Sequence, residues 1–128
     1  MPNAADDIVS GIMAKWAAAF STLDADALAS LYSKHALFFG SNPKLYRGRD
    51  GVRSYFEGLP RWRTSAVRFG DVVAEQVGPD LIGVAGTASF DLDEGATKLA
   101  VKITWVIARE DADWKIVSHH VSSKAALI

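Results

Sequence analysis

The residues that could do chemistry crowd toward one end of this sequence. The run Trp114-Lys115-Ile116-Val117-Ser118-His119-His120-Val121-Ser122-Ser123 holds two of the chain's three histidines and three hydroxyls. An imidazole titrates near about 6.5 and can therefore move a proton at neutral pH. The run alternates in period two. As a strand it places Trp114, Ile116, Ser118, His120 and Ser122 on one face, and Lys115, Val117, His119 and Val121 on the other. The first face is dry at one end and polar at the other, so it is expected to line a pocket, with His120 as the candidate general acid or base. The competing use of His120 is a buried imidazole that spends both nitrogens on hydrogen bonds and holds the sheet in register. His119 is expected to point away, to a subunit seam or to solvent. The adjacent pair cannot share a metal, because neighbouring strand residues diverge.

Other candidates surround that face. Lys102 and Thr104 lie on the preceding strand, and Arg61 and Arg63 lie upstream. Arg63 with Lys102 would attract a carboxylate or phosphate if both face inward, and would form a solvated rim if not. Tyr32 and Tyr55 each put a hydroxyl at a helix end, where it can bond a ligand or steady an oxyanion. His35 reads as the end of the second helix, where a cation suits the helix dipole. Asp91, Asp93 and Glu94 read as a hairpin turn rather than a metal site.

The elements that must position these residues are visible upstream. Ile8, Ile12, Trp16, Phe20 and Leu23 recur at spacings of three and four, which predicts a helix headed by Asp6 or Asp7. Asp24 caps a shorter helix carrying Leu28, Leu31 and Tyr32. Residues 36–39 form a short apolar strand, and Gly40-Ser41-Asn42-Pro43 a loop. A third helix runs from Arg49 or Asp50 to Glu57, with Val52, Tyr55, Phe56 and Leu59 on its buried side. Four strand-like runs follow at about 62–77, 81–92, 96–110 and 113–123, separated by turn residues, so neighbours are antiparallel. Strands this long must twist and curl, with bulges expected at Gly70 and at Gly83 or Gly86. The fold class is therefore α+β: one domain over 1–128, a cone-shaped curved antiparallel sheet with three helices on its concave face. Leu99, Val101, Ile103, Trp105 and Ile107 make one unbroken apolar strand face. If that face is left uncovered it calls for a homodimer, sheet against sheet, or a larger ring.

Composition bounds the function. The 128 residues are 49% hydrophobic and 23% charged, and the net charge of −1 argues against nucleic acid or an anionic membrane as partner. The absence of cysteine excludes disulfides and thiolate chemistry. No apolar run reaches the roughly 18 residues of a membrane helix. The acidic start, with Asp6 and Asp7 where a signal peptide is basic, leads to an expected cytoplasmic location.

Three stretches carry a family resemblance: Leu23-Asp24-Ala25-Asp26-Ala27-Leu28, Tyr46-Arg47-Gly48-Arg49-Asp50-Gly51-Val52-Arg53-Ser54-Tyr55-Phe56, and the terminal run from Trp114 to Ser123. With the order of helices and strands, they resemble the nuclear transport factor 2-like superfamily, a cystatin-like fold. Within it they resemble the SnoaL-like branch and the association domain of calcium/calmodulin-dependent protein kinase II. The resemblance implies the curled-sheet cone, and it puts His120 and Ser122 on the pocket wall. It places Lys102 where relatives carry a pocket arginine, and a lysine lacks the bidentate fork. Lys34-His35-Ala36 stands where relatives carry an aspartate, and no counterpart of the steroid isomerases' aspartate base is present. The expected function is a module that binds a small ligand, anionic or of mixed polarity, in a mainly apolar pocket, or one that assembles with itself. The alternative is a lyase, isomerase or hydrolase in which His120 moves a proton. The expected pocket set is Tyr32, Tyr55, Arg63, Lys102, Thr104, Trp114, Ser118, His120 and Ser122, with no metal or organic cofactor.

Overall fold

The apolar stripe of the first segment becomes α1 (Ala4–Ser21), which buries Val9, Ile12, Met13, Trp16 and Phe20. A computed structural model describes residues 4–128 of the chain. Asp6 and Asp7 fall within the first turn of α1 rather than at its cap. Asp24 caps α2 (Ala25–Ala29) by accepting the Ala27 N–H at 3.0 Å. Strand β1 (Tyr32–Phe39) starts four residues earlier than the apolar run suggests, so Tyr32 and His35 stand on a strand and not on a helix. The reason is tertiary. A five-residue helix has little stability of its own, and the Leu31 carbonyl instead accepts the Ile116 N–H at 2.9 Å, beginning a ladder to the last strand. Strand β2 (Leu45–Arg47) pairs with β1 in a stretch too short to show any period. Helix α3 (Gly48–Glu57) buries Val52, Tyr55 and Phe56 as expected.

The rest of the chain forms β3 (Ser65–Gly78), β4 (Leu81–Leu92), β5 (Thr97–Glu110) and β6 (Asp113–Ser123), close to the predicted bounds. The six-stranded open sheet has the order β2-β1-β6-β5-β4-β3. Strands β3 to β6 are antiparallel neighbours, as their short turns require, whereas β1 lies parallel to β6. Most of the chain separates β1 from β6, so no tight turn dictates their direction.

Two of the four irregularities in the ladder bear on the site. In β3, Asp71 and Val72 stand opposite the single residue Gly86 of β4, and Asp71 has φ +50°. A Cβ at Gly86 would lie 3.1 Å from the Gly70 carbonyl oxygen, so glycine lets the two backbones close over this bulge without displacing either. In β6, Ser118 pairs with Val106 but Ile116 pairs with Ile107, which leaves Val117 as an extra residue. Side chains beyond Val117 therefore exchange faces. This second bulge has no glycine to announce it.

The core lies between the concave face and the helices. Ile82, Val84, Ala88 and Leu92 of β4 and Ile103, Trp105 and Ile107 of β5 are buried there with Trp16, Phe20, Leu28, Val52 and Phe56. The apolar face of β5, expected to form a dimer seam, is thus the inner face, and only Leu99 at its end is substantially exposed. Five apolar residues in a row gain more from burial under the helices than the mixed Lys102/Thr104 face could. Among the described residues, no helix is long and apolar enough to cross a membrane.

Candidate functional site

The helices do not fill the hollow of the sheet. A cavity of about 210 Å³ remains, walled by Trp16 and Phe20 of α1, Tyr55 and Phe56 of α3, Phe69 of β3, Phe90 of β4, Trp105 of β5 and Phe38 of β1. Trp16 anchors this wall, stacking on Phe20 at 5.2 Å and meeting Phe56 and Phe69 edge-on at 5.8 Å. Near the β1–β2 loop, Gly40, Ser41, Leu59, Pro60 and Trp62 continue the lining. No aspartate, glutamate, lysine or arginine lines the cavity.

Its main polar feature is His119. The imidazole stacks on Phe38, its neighbour across the β1–β6 pair, at 4.1 Å between ring centres. On its other side lies Trp105, its register partner on β5. The His119 Nδ1 takes the Trp105 Nε1–H at 3.0 Å and lies 2.8 Å from the Tyr32 hydroxyl. The Tyr32 oxygen in turn accepts the Trp16 Nε1–H at 3.0 Å. One chain of hydrogen bonds therefore ties α1, β1, β6 and β5 together in a dry interior. Burial pushes the Tyr32 hydroxyl well above the ordinary tyrosine range, so it keeps its proton. Burial also lowers the His119 pKa from 6.5 to about 3, with a smaller contribution from the adjacent His120 charge. The ring is neutral at any physiological pH.

A second polar spot lies at the loop. The Tyr55 hydroxyl accepts the Ser41 N–H at 2.9 Å and shares a hydrogen bond with Ser41 Oγ at 2.7 Å. The ring passes so close to Gly40 that a Cβ there would sit 2.4 Å from Tyr55 Cζ. Gly40→Ala is expected to push the ring off Ser41 and cost about 1–3 kcal/mol, the usual range for overpacking. A urea unfolding midpoint unchanged from wild type would show that the loop is not held this way. Among the described residues, no three histidine, aspartate or glutamate side chains are grouped to hold a metal.

A family model for the SnoaL-like domain matches residues 9–126. This chain belongs to the SnoaL-like domain family. Solved structures agree on the fold of this SnoaL-like domain. One named as a calcium/calmodulin dependent protein kinase II association domain, from Xanthomonas campestris, superposes with a TM-score of 0.85 at 21% identity, covering 98% of this chain and 91% of that one. An NTF2-like protein with a cystatin-like fold from Novosphingobium aromaticivorans gives 0.80 at 14% identity over 95% and 83% of the two chains. The hexachlorocyclohexane dehydrochlorinase LinA-type3 from Novosphingobium barchaimii LL02 gives 0.74 at 17% identity over 93% and 86%. No curated protein matches the sequence.

The SnoaL-like domain brings few of the predicted site residues to its cavity. Tyr55 lines it, and Tyr32 lies behind its wall, bonded to His119. Lys102, Thr104, His120 and Ser122 are neighbours, as expected, with Lys102 paired to Ser122 and Thr104 to His120. They stand exposed on the convex face, however, on the far side of the sheet from the cavity. Ser118 belongs to the same outer face, opposite Val106. Two separate causes produce this. The Val117 bulge turns His119 in and His120 out, and the hydrophobic row of β5 sends Lys102 and Thr104 outward. Arg63 is 75% exposed near Asp93 and Glu94, so it offers the cavity no charge. Trp114 lies at the far end of β6, under the Arg109 guanidinium at 5.0 Å. His35 is exposed on β1 and caps no helix.

The residue that sequence reasoning turned outward, to a subunit seam or to solvent, is His119. A signal for it existed in Trp105. A tryptophan on an all-apolar strand face must find an acceptor for its N–H, and no residue of β5 on that face supplies one.

Proposed function

We propose that this SnoaL-like domain binds a small, largely apolar molecule in the cavity beneath its sheet, without covalent chemistry. The observation that carries this reading is the cavity itself, about 210 Å³ lined mostly by aromatic and aliphatic side chains with no charged group among them. An apolar cavity of roughly 150 Å³ already takes up benzene. The anionic ligand expected from Arg63 and Lys102 is disfavoured, because an anion would lose its hydration there without gaining a cation. A proton-transfer enzyme is disfavoured as well. It needs a base with a free lone pair beside the substrate, and the imidazole at this wall already spends its Nδ1 lone pair on the wall. The names of the neighbouring folds range from an association domain to a dehydrochlorinase, so the fold leaves the choice to the cavity.

Titration with naphthalene, followed by tryptophan fluorescence, is expected to saturate at one molecule per chain. Filling the cavity with Ala88→Leu, a residue of its wall, is expected to abolish that site. The absence of saturable binding in the wild-type chain, or binding indifferent to the filled cavity, would end this reading.

The domain is also proposed to pair with a second copy, sheet against sheet, through its convex face. Leu45, Phe39, His120, Thr104, Ala85 and Val73 form one continuous row across that face. Its apolar members Leu45, Phe39 and Val73 are 42%, 38% and 57% exposed. Light scattering at micromolar concentration is expected to give twice the 13.8 kDa chain mass, and Phe39→Glu to return it to one. A wild-type monomer would reject the pairing.

A further inference from the structure

The hydrogen bonds behind the cavity wall fix more than the position of His119. An indole nitrogen has a hydrogen to give and no lone pair in the ring plane to receive one. The Trp105 Nε1–H pointing at Nδ1 therefore requires a lone pair on Nδ1. The Tyr32 oxygen accepts the Trp16 N–H and lies 2.8 Å from the same Nδ1, to which its own hydrogen can turn once Nδ1 carries a lone pair. The proton of the neutral ring must then sit on Nε2. The opposite tautomer would set its Nδ1–H against the Trp105 Nε1–H, which cannot accept.

No described residue accepts from Nε2 within hydrogen-bond distance, although His119 is only 5% exposed. Nor is Nε2 sealed away, since no fully buried side-chain nitrogen or oxygen among the described residues is without a partner. His119 lines the cavity, and Nε2 is the nitrogen left to face it. The Ser41 and Tyr55 hydroxyls, also in the lining, bond each other.

Resting on the binding reading above, we infer that the cavity selects a flat aromatic molecule bearing an unprotonated acceptor atom, as in an aryl ketone or an N-heteroaromatic, and that His119 Nε2–H is the donor that reads it. Trp105 and Tyr32 are positioning residues that keep this proton on Nε2. The cavity is larger than one that holds a single ring, so two fused rings fit its volume. An amine or indole N–H gains nothing at this pole, because donor would meet donor.

Three bicyclic probes of nearly equal size test this on the full chain: indane with no polar atom, 1-indanone with an acceptor, and indole with a donor. Calorimetric or fluorescence titration is expected to show 1-indanone binding about tenfold tighter than indane, the increment of one net hydrogen bond. Indole is expected to bind no tighter than indane. Equal affinities for indane and 1-indanone overturn the donor assignment and leave the binding reading standing. Failure of all three, with naphthalene, overturns the binding reading itself. The wild-type chain also offers a direct readout that needs no variant. Nitrogen-15 spectra of the histidines are expected to show His119 protonated at Nε2 alone between about pH 5 and 8, with that signal moving on addition of 1-indanone and not of indane. A ring protonated at Nδ1 would overturn the inference.

Discussion

His119→Leu is expected to lower the free energy of unfolding by about 3–5 kcal/mol at pH 7.5, even though leucine is apolar and of similar bulk. The reason is what it abandons. The Trp105 Nε1–H and the Tyr32 hydroxyl both lose their acceptor in a place that water does not reach. Each unsatisfied buried donor costs about 1–3 kcal/mol, and the lost stacking on Phe38 adds about 0.5–1.5 kcal/mol. Removing one orphaned partner as well should return part of the loss. The double variant His119→Leu/Trp105→Phe is therefore expected to be about 1–2 kcal/mol more stable than the sum of the single changes. Urea unfolding monitored by fluorescence measures all three. A loss below about 1 kcal/mol for His119→Leu would mean that these donors reach water and that the wall is not dry.

The architecture was legible because it rests on periods that run for many residues. The stripe from Ile8 to Phe20 and the four long alternating runs leave little choice but helices laid on a curled sheet. The bulge expected at Gly70 was nearly legible, since a strand glycine often marks a close backbone approach; the extra residues are its neighbours Asp71 and Val72, facing Gly86, while Gly83 stays in regular register. The inward-facing histidine was not legible, and the cause is local. From the Asp111-Ala112 turn, an unbroken ladder would pair His119 with Thr104 and turn it outward. The extra residue Val117 moves it opposite Trp105. Valine is an ordinary strand residue, so nothing in its type marks the bulge. Strand β2 and the early start of β1 escaped as well. Strand β2 has three residues, too few to show a period, and the early start of β1 owes its form to a partner distant in sequence, Tyr32 with Ile116. The anionic site failed on a different ground. Lys102 and Thr104 do assemble with His120 and Ser122, but which side of a sheet faces inward is decided by the most apolar row, Ile103-Trp105-Ile107.

The same imidazole should make the fold sensitive to acid in a definite window. In the unfolded chain His119 titrates near 6.5, and in the folded chain burial holds it down to about 3. Above pH 6.5 both states are neutral at this ring, and its contribution to stability is complete. Below that, the unfolded chain takes up a proton that the folded chain refuses, so unfolding gains about 1.4 kcal/mol per pH unit. The loss continues until the folded ring itself accepts a proton near pH 3. Between pH 8 and pH 5 this residue alone is expected to remove about 2 kcal/mol. Carboxylates such as Glu110, whose pKa the Ser33 hydroxyl lowers, add their own losses at lower pH and would blur the measurement. His119→Leu separates the two contributions, because it keeps every carboxylate and lacks the ring. Its penalty relative to wild type should therefore shrink from about 3–5 kcal/mol at pH 8 to about 1–3 kcal/mol at pH 5. Denaturant unfolding of both proteins at half-unit steps gives the difference directly. A penalty that stays constant across that range would mean that the folded protein accepts a proton at His119 as readily as the unfolded chain does. Nδ1 could then not be the acceptor on which the cavity wall depends.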